Sequence, residues 1–161
     1  MKLTLKDLGN VQDTEIELDG ITVLCGYNGT GKSAICRKVL ETADRAECVT
    51  VGQLDNILLF GGETLVIECP ENSAHPVLQL ELADKILQTC ANRGVRVLMT
   101  TYSTLMLRAI EFFSGKYDLE TRCHYYKTEP VEGMKKLFRV RNVDGQTNLI
   151  YHEFYMPYEE V

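Results

Sequence analysis

The chain has 161 residues and a formal net charge of −6, with 45% hydrophobic and 25% charged residues. That is enough for one domain with its own core, too few for two ordinary domains, and too apolar for a disordered chain. An acidic chain has no general attraction to nucleic acid, and the absence of an 18-residue apolar run excludes a membrane-spanning helix.

The opening MKLTLKDLGN alternates and carries charges, without the apolar core of a signal peptide. Cys25, Cys36, Cys48, Cys69, Cys90 and Cys123 stand singly, with no Cys-x-x-Cys pair. They predict reduced thiols in a cytoplasmic protein, and no zinc site.

In chain order, LTLKDL alternates like a half-buried strand, and DTEIELDG predicts a second strand ended by Asp19-Gly20. ITVLCG is a short β-branched run suited to a strand buried on both faces. KSAICRKVLETA carries Ile35, Val39 and Ala43 at helical spacing. TLVIEC predicts another buried strand, ended by Pro70. PVLQLELADKILQTCANRG predicts a helix with Pro76 in its first turn and Gly94 as its stop.

VRVLMTTYS predicts a third buried strand, and STLMLRAIEFF a helix capped by Ser103. The stretches TRCHYYK, LFRVRNV and TNLIYHEFY read as strands, with a hairpin turn at Asp144-Gly145. The expected fold is therefore α/β: three layers around a mainly parallel sheet, with added antiparallel edge strands. One domain is expected over residues 1–161, a core over 1–111 and a β-rich extension over 112–161.

Gly26, Gly31, Lys32 and Ser33 fit the pattern G-x-x-x-x-G-K-[ST] between a predicted strand and a predicted helix. Glycines permit the backbone path that turns successive N–H groups onto phosphate oxygens, and the helix adds its positive end. Asn28, Gly29, Thr30, Gly31, Lys32 and Ser33 are the expected nucleotide-binding residues. Lys32 would reach the β- and γ-phosphates, and the Ser33 hydroxyl would bind Mg²⁺. Such a loop needs a carboxylate at the end of a neighbouring strand, and TLVIE offers Glu68, making Ser33 and Glu68 the expected metal-holding pair.

Together, ITVLCGYNGTGKSAI, LVIECPENSAHPVLQLELADKIL and VRVLMTTYS resemble the ABC-type ATPases of the SMC, RecF and OLD branch, over most of the chain. The resemblance implies a P-loop NTPase fold, with ATP and Mg²⁺ as ligands and Glu68 as the metal-organising acid. By the same resemblance His75-Pro76 lies in the D-loop neighbourhood, although His75 by itself reads as a turn residue. Three departures bear on mechanism. The family's general base, a second acid, is Cys69 here, and a thiol is largely protonated at neutral pH. Losing a positioned base typically costs about 10²–10⁴ in rate. Glu71 lies beyond Pro70 and is not expected to substitute. The family's switch histidine is Tyr102, whose phenol still donates one hydrogen bond to a γ-phosphate or else packs at the strand end.

The third departure is length. Only 35 residues, positions 33 to 67, separate Lys32 from Glu68. Relatives place a helical lobe and its signature loop there. Thr50 to Gln53, TVGQ, faintly resembles that loop, but a plain connector is the simpler reading, and the usual sandwich dimer is in doubt.

No aromatic residue precedes Tyr27, so base preference is not legible. Lys135, Lys136, Arg139 and Arg141 with Phe138 form a small basic stretch beside the acidic tail YEEV, read as a solvated strand face rather than a nucleic-acid patch. The late aromatics Tyr125, Tyr126, Phe138, Tyr151, Phe154, Tyr155 and Tyr158 read mainly as core. The expectation is Mg²⁺-dependent ATP binding with slow or absent hydrolysis, through Glu68, Cys69 and Tyr102. Alternatives are an ATPase rescued by Glu71 or by a partner chain or second copy, a small P-loop kinase, and an interaction module with a vestigial site.

Overall fold

A computed structural model describes residues 1–59, 61–72 and 74–155, with side chains through 151. Strands β1 (Lys2–Leu5) and β2 (Thr14–Glu17) pair antiparallel as a separate ribbon. The main sheet contains β3 (Ile21–Cys25), β4 (Ala46–Cys48), β5 (Thr64–Glu68), β6 (Arg96–Thr101), β7 (Cys123–Pro130) and β8 (Phe138–Asn142). Its order is β4-β5-β6-β3-β7-β8, parallel throughout except for the last pair. Helices α1 (Lys32–Thr42), α2 (Pro76–Arg93), α3 (Thr104–Lys116) and α4 (Asn148–Tyr155) complete the described chain.

The runs read as doubly buried strands are buried on both faces. Ile21, Val23 and Cys25 of β3 join Leu65, Ile67, Val97 and Met99 on one side, under Ala83, Ile86 and Leu87 of α2 and Met106 and Ile110 of α3. Leu24, Val66 and Leu98 point the other way, into a second cluster with Ile35 and Val39 of α1 and Leu5, Ile16 and Leu18 of the ribbon segment. Alternation along each strand thus feeds two cores, and the sheet is the middle of three layers.

The helix boundaries follow local chemistry. His75 caps α2, its Nδ1 accepting from Val77 N at 3.3 Å, Pro76 starts the first turn, and Gly94 ends it at φ 64. The Ser103 hydroxyl accepts from Met106 N and caps α3.

Four expectations need correction. Residues 148–155, within the predicted strand TNLIYHEFY, form helix α4, with Ile150 buried and Leu149 and Tyr151 packed on the first core. Tertiary contacts decide there: the Tyr151 hydroxyl donates to Glu111 at 3.2 Å, and the Arg108 guanidinium lies 4.9 Å from its ring centre. Asp144-Gly145 is a turn, but it joins β8 to α4; the antiparallel pair is β7–β8, connected by residues 131–137. The Asp144 carboxylate accepts from Tyr125 N at 2.6 Å, so the turn is tied to β7. TRCHYYK is not an antiparallel edge strand, because β7 lies inside the sheet and parallel to β3. Finally, β4 was not anticipated: three residues at an edge carry no readable period.

Among the described residues, no helix is long and apolar enough to cross a membrane. The basic stretch is divided, with Arg139 paired to Glu129 at 2.6 Å and Phe138 partly buried against the second core. Tyr158 and the tail YEEV lie outside the described residues, as do the side chains of Phe154 and Tyr155.

Candidate functional site

The carboxyl end of β3 runs directly into the loop Gly26–Ser33, and α1 begins within it. Gly29 and Gly31 adopt φ 80 and φ 93, left-handed conformations that favour glycine. Gly31 also caps α1, so the positive helix end opens at the loop. Among the described residues, no hydrogen-bond acceptor takes up the N–H groups of Gly29, Gly31, Lys32 or Ser33. The loop is braced from β7: the Thr30 and Thr128 hydroxyls are 2.7 Å apart, and Thr128 Oγ1 donates to Cys25 O at 3.3 Å. A Cβ on Gly26 would stand 1.9 Å from Thr128 Oγ1, so glycine is needed there for close approach rather than for a left-handed turn.

Lys32 is only 7% exposed. Its ammonium donates to the Gly26 carbonyl and lies 3.4 Å from that of Tyr27. Among the described residues, no carboxylate comes within ion-pairing distance of it. Burial pushes its pKa down from the ordinary lysine value, with Cys69, Cys25 and Glu71 pulling the other way. A buried cation held only by carbonyl oxygens fits an anionic ligand.

A cavity of about 300 Å³ brings together Asn28, Gly29, Gly31, Lys32, Ser33, Glu68, Cys69 and Thr100, and Asn10 and Arg37 also line it. Ser33 and Glu68 therefore share one cavity, one hydroxyl and one exposed carboxylate. Among the described residues, no group of three or more His, Cys, Asp or Glu is placed to hold a metal ion. The pair fits Mg²⁺, which keeps waters and takes phosphate oxygens alongside one or two protein ligands.

Glu68 does not sit on the strand next to β3. Strand β6 lies between β3 and β5, which puts the end of β6 between the loop and the acid. Cys69 leaves β5 in a left-handed conformation, φ 42, and its N–H donates to Thr100 Oγ1 and Thr100 O, both at 3.0 Å. The turn closes with Asn72 N donating to Cys69 O at 3.0 Å. This reversal carries Glu71 back beneath the end of β6.

Glu71 is 4% exposed, and its Oε1 accepts from the Thr101 hydroxyl at 2.7 Å and from Tyr102 N at 2.9 Å. Its Oε2 is buried and has no hydrogen-bond partner among the described residues. Leaving such a group unsatisfied costs about 1–3 kcal/mol, and more when it is charged. Sequence reasoning kept this residue only as an alternative because it lies past a proline; the turn at Cys69 brings it to the end of β6, outside the lining of the smaller cavity.

Tyr102 is absent from the lining of the smaller cavity. It lines an adjoining space of about 530 Å³ with Tyr27, Asn28, Glu71, Pro76, Gln79 and Ser103, and its hydroxyl donates to Asn72 at 2.6 Å. Asn28 borders both spaces. The TVGQ stretch is closed on itself, with the Gln53 side chain accepting from Thr50 N at 2.8 Å in a capping box. No protein-family model matches the chain, and no curated protein matches it.

Proposed function

We propose that the protein binds a nucleoside triphosphate, ATP by its resemblance to the ABC-type ATPases of the SMC, RecF and OLD branch, with Mg²⁺ and with slow turnover. The observation that carries the reading is Lys32: a buried ammonium with no carboxylate partner among the described residues, inside a glycine turn at a helix start. In this reading the Gly29–Ser33 amides and Lys32 hold the β- and γ-phosphates, and Ser33 with Glu68 holds the metal ion, which neutralises phosphate charge. Cys69 lies in the cavity where a carboxylate base would be expected, which accounts for slow hydrolysis. The interval 43–63 holds only β4 and one short 3₁₀ turn as regular structure, with no helical lobe among its described residues.

Thermal unfolding tests it. ATP with Mg²⁺ at about 100 times its dissociation constant adds about 2.7 kcal/mol, raising the melting temperature by roughly 5–10 °C. Removing Mg²⁺ is expected to erase most of the rise. No rise with any nucleoside triphosphate would remove the reading.

The Lys32 environment gives a second expectation. Its native pKa is depressed, so between that value and the unfolded value the unfolded chain binds more protons, and this group's contribution to stability rises with pH. A bound polyphosphate favours the charged amine. In alkaline solution, nucleotide binding should take up protons and weaken as pH rises through the depressed value. Titration calorimetry in buffers of different ionisation enthalpy reads the uptake, which should vanish in Lys32→Met.

A further inference from the structure

We infer that the nucleobase lies between α1 and the β1–β2 connection, with Arg37 on the α-phosphate and the Asp7 carboxylate accepting from the adenine amino group; the inference rests on the nucleotide reading above. A space of about 340 Å³ lies there, lined by Asp7, Leu8 and Gly9 of the connection and by Ala34, Arg37 and Lys38 of α1. It shares Ala34 and Arg37 with the phosphate cavity, so the two adjoin. The residues lining the phosphate cavity fall into two groups. Glu68, Cys69 and Thr100 stand at the ends of β5 and β6, whereas Asn10, Ala34 and Arg37 belong to the β1–β2 connection and to α1. With a metal ion between Ser33 and Glu68, the γ-phosphate belongs to the first group, and the α-phosphate with its ribose to the second. The 530 Å³ space does not compete for the base, because Tyr102 and Ser103 place it at the end of β6, on the γ side.

Helix α1 turns Ala34, Arg37, Lys38 and Glu41 to one face, at intervals of three and four residues, while Ile35, Cys36 and Val39 enter the second core. Lys38 lies 3.9 Å from Glu41. Arg37 is exposed and, among the described residues, has no carboxylate within ion-pairing distance. Its guanidinium is therefore available to a phosphate oxygen where the two spaces meet. Asp7 is exposed in the same space, and no cation among the described residues pairs with its carboxylate. Its backbone is held: φ is 59, and its N–H donates to Asp13 Oδ1 at 3.3 Å. Leu8 and Ala34 add apolar surface for the faces of a base. An ionised carboxylate only accepts, so it favours the 6-amino group of adenine over the 6-oxygen of hypoxanthine.

The experiment titrates the full chain, Asp7→Asn and Arg37→Met with ATP, ITP, GTP and inorganic tripolyphosphate, each with Mg²⁺, in a calorimeter. The wild type should bind ATP about tenfold more tightly than ITP, the scale of one hydrogen bond to a charged group. Asn tolerates the same left-handed backbone and offers either its carbonyl or its amide N–H, so Asp7→Asn should bring ATP and ITP within about twofold of each other. Tripolyphosphate carries no base, and its affinity should be the same in Asp7→Asn as in the wild type, which a merely structural role for Asp7 would not allow. Arg37→Met should weaken ATP and tripolyphosphate alike, by about tenfold, without changing the ratio of ATP to ITP. Equal wild-type affinity for ATP and ITP, GTP bound more tightly than ATP, tripolyphosphate weakened in Asp7→Asn as much as ATP, or Arg37→Met without effect on either ligand overturns the inference and leaves triphosphate binding standing. A wild-type protein that binds neither a nucleotide nor tripolyphosphate overturns both.

Discussion

Lys32→Ala abolishes nucleotide-induced stabilisation while the free protein melts within a few degrees of the wild type. The two halves of this expectation have separate causes. In the free protein the ammonium is buried and meets only the carbonyls of Gly26 and Tyr27. Removing it forfeits those hydrogen bonds but also the desolvation cost that depresses its pKa, and the two offset. With a triphosphate present the balance changes, because a charge-assisted hydrogen bond contributes about 1.5–3 kcal/mol and the ammonium reaches more than one phosphate oxygen. Affinity should fall by about 10²-fold or more. Calorimetric titration with a non-hydrolysable analogue measures it. An unchanged dissociation constant would mean that the nucleotide, if bound, lies elsewhere.

That expectation depends on a part of the molecule that is legible in the sequence alone. The buried runs of β3, β5 and β6 and the periodic faces of α1, α2 and α3 are local patterns, and local patterns survive translation into elements. The glycine loop was legible because its residue types are dictated by backbone geometry, left-handed at Gly29 and Gly31 and tightly packed at Gly26. What escaped notice is non-local. Nothing in VRVLMTTYS says that β6 inserts between the loop strand and the acid strand. Nothing in TNLIYHEFY says that Glu111 and Arg108 lie where Tyr151 needs partners. The placement of Glu71, named from the sequence only as an alternative, was not legible for a related reason: proline at position 70 argues only that the strand ends, whereas the direction taken afterwards depends on Cys69 in a conformation its residue type seldom adopts.

The same contrast between local conformation and distant contact sets the outcome of Gly31→Ala, the substitution expected to harm fold and site together. Gly31 sits at φ 93, where an L side chain is strained, at a cost of about 1–3 kcal/mol. A Cβ there would also stand 2.2 Å from Val11 Cγ2, and Val11 is buried against the second core. The chain between β1 and β2 must therefore move away from α1. Overpacking of this kind adds about 1–3 kcal/mol, so the total loss should be about 2–6 kcal/mol, a large share of a domain's stability. Val11→Ala alone should cost about 1–2 kcal/mol as a cavity, yet in the Gly31→Ala background it removes the collision, and the two changes should total less than their sum. The remainder is the backbone cost, which no change at Val11 relieves. Since the loop amides depend on that conformation, nucleotide binding should stay impaired in the double variant even as its denaturation midpoint recovers. Strict additivity, or full recovery of binding, would show that Gly31 tolerates a side chain by a backbone path other than the left-handed one.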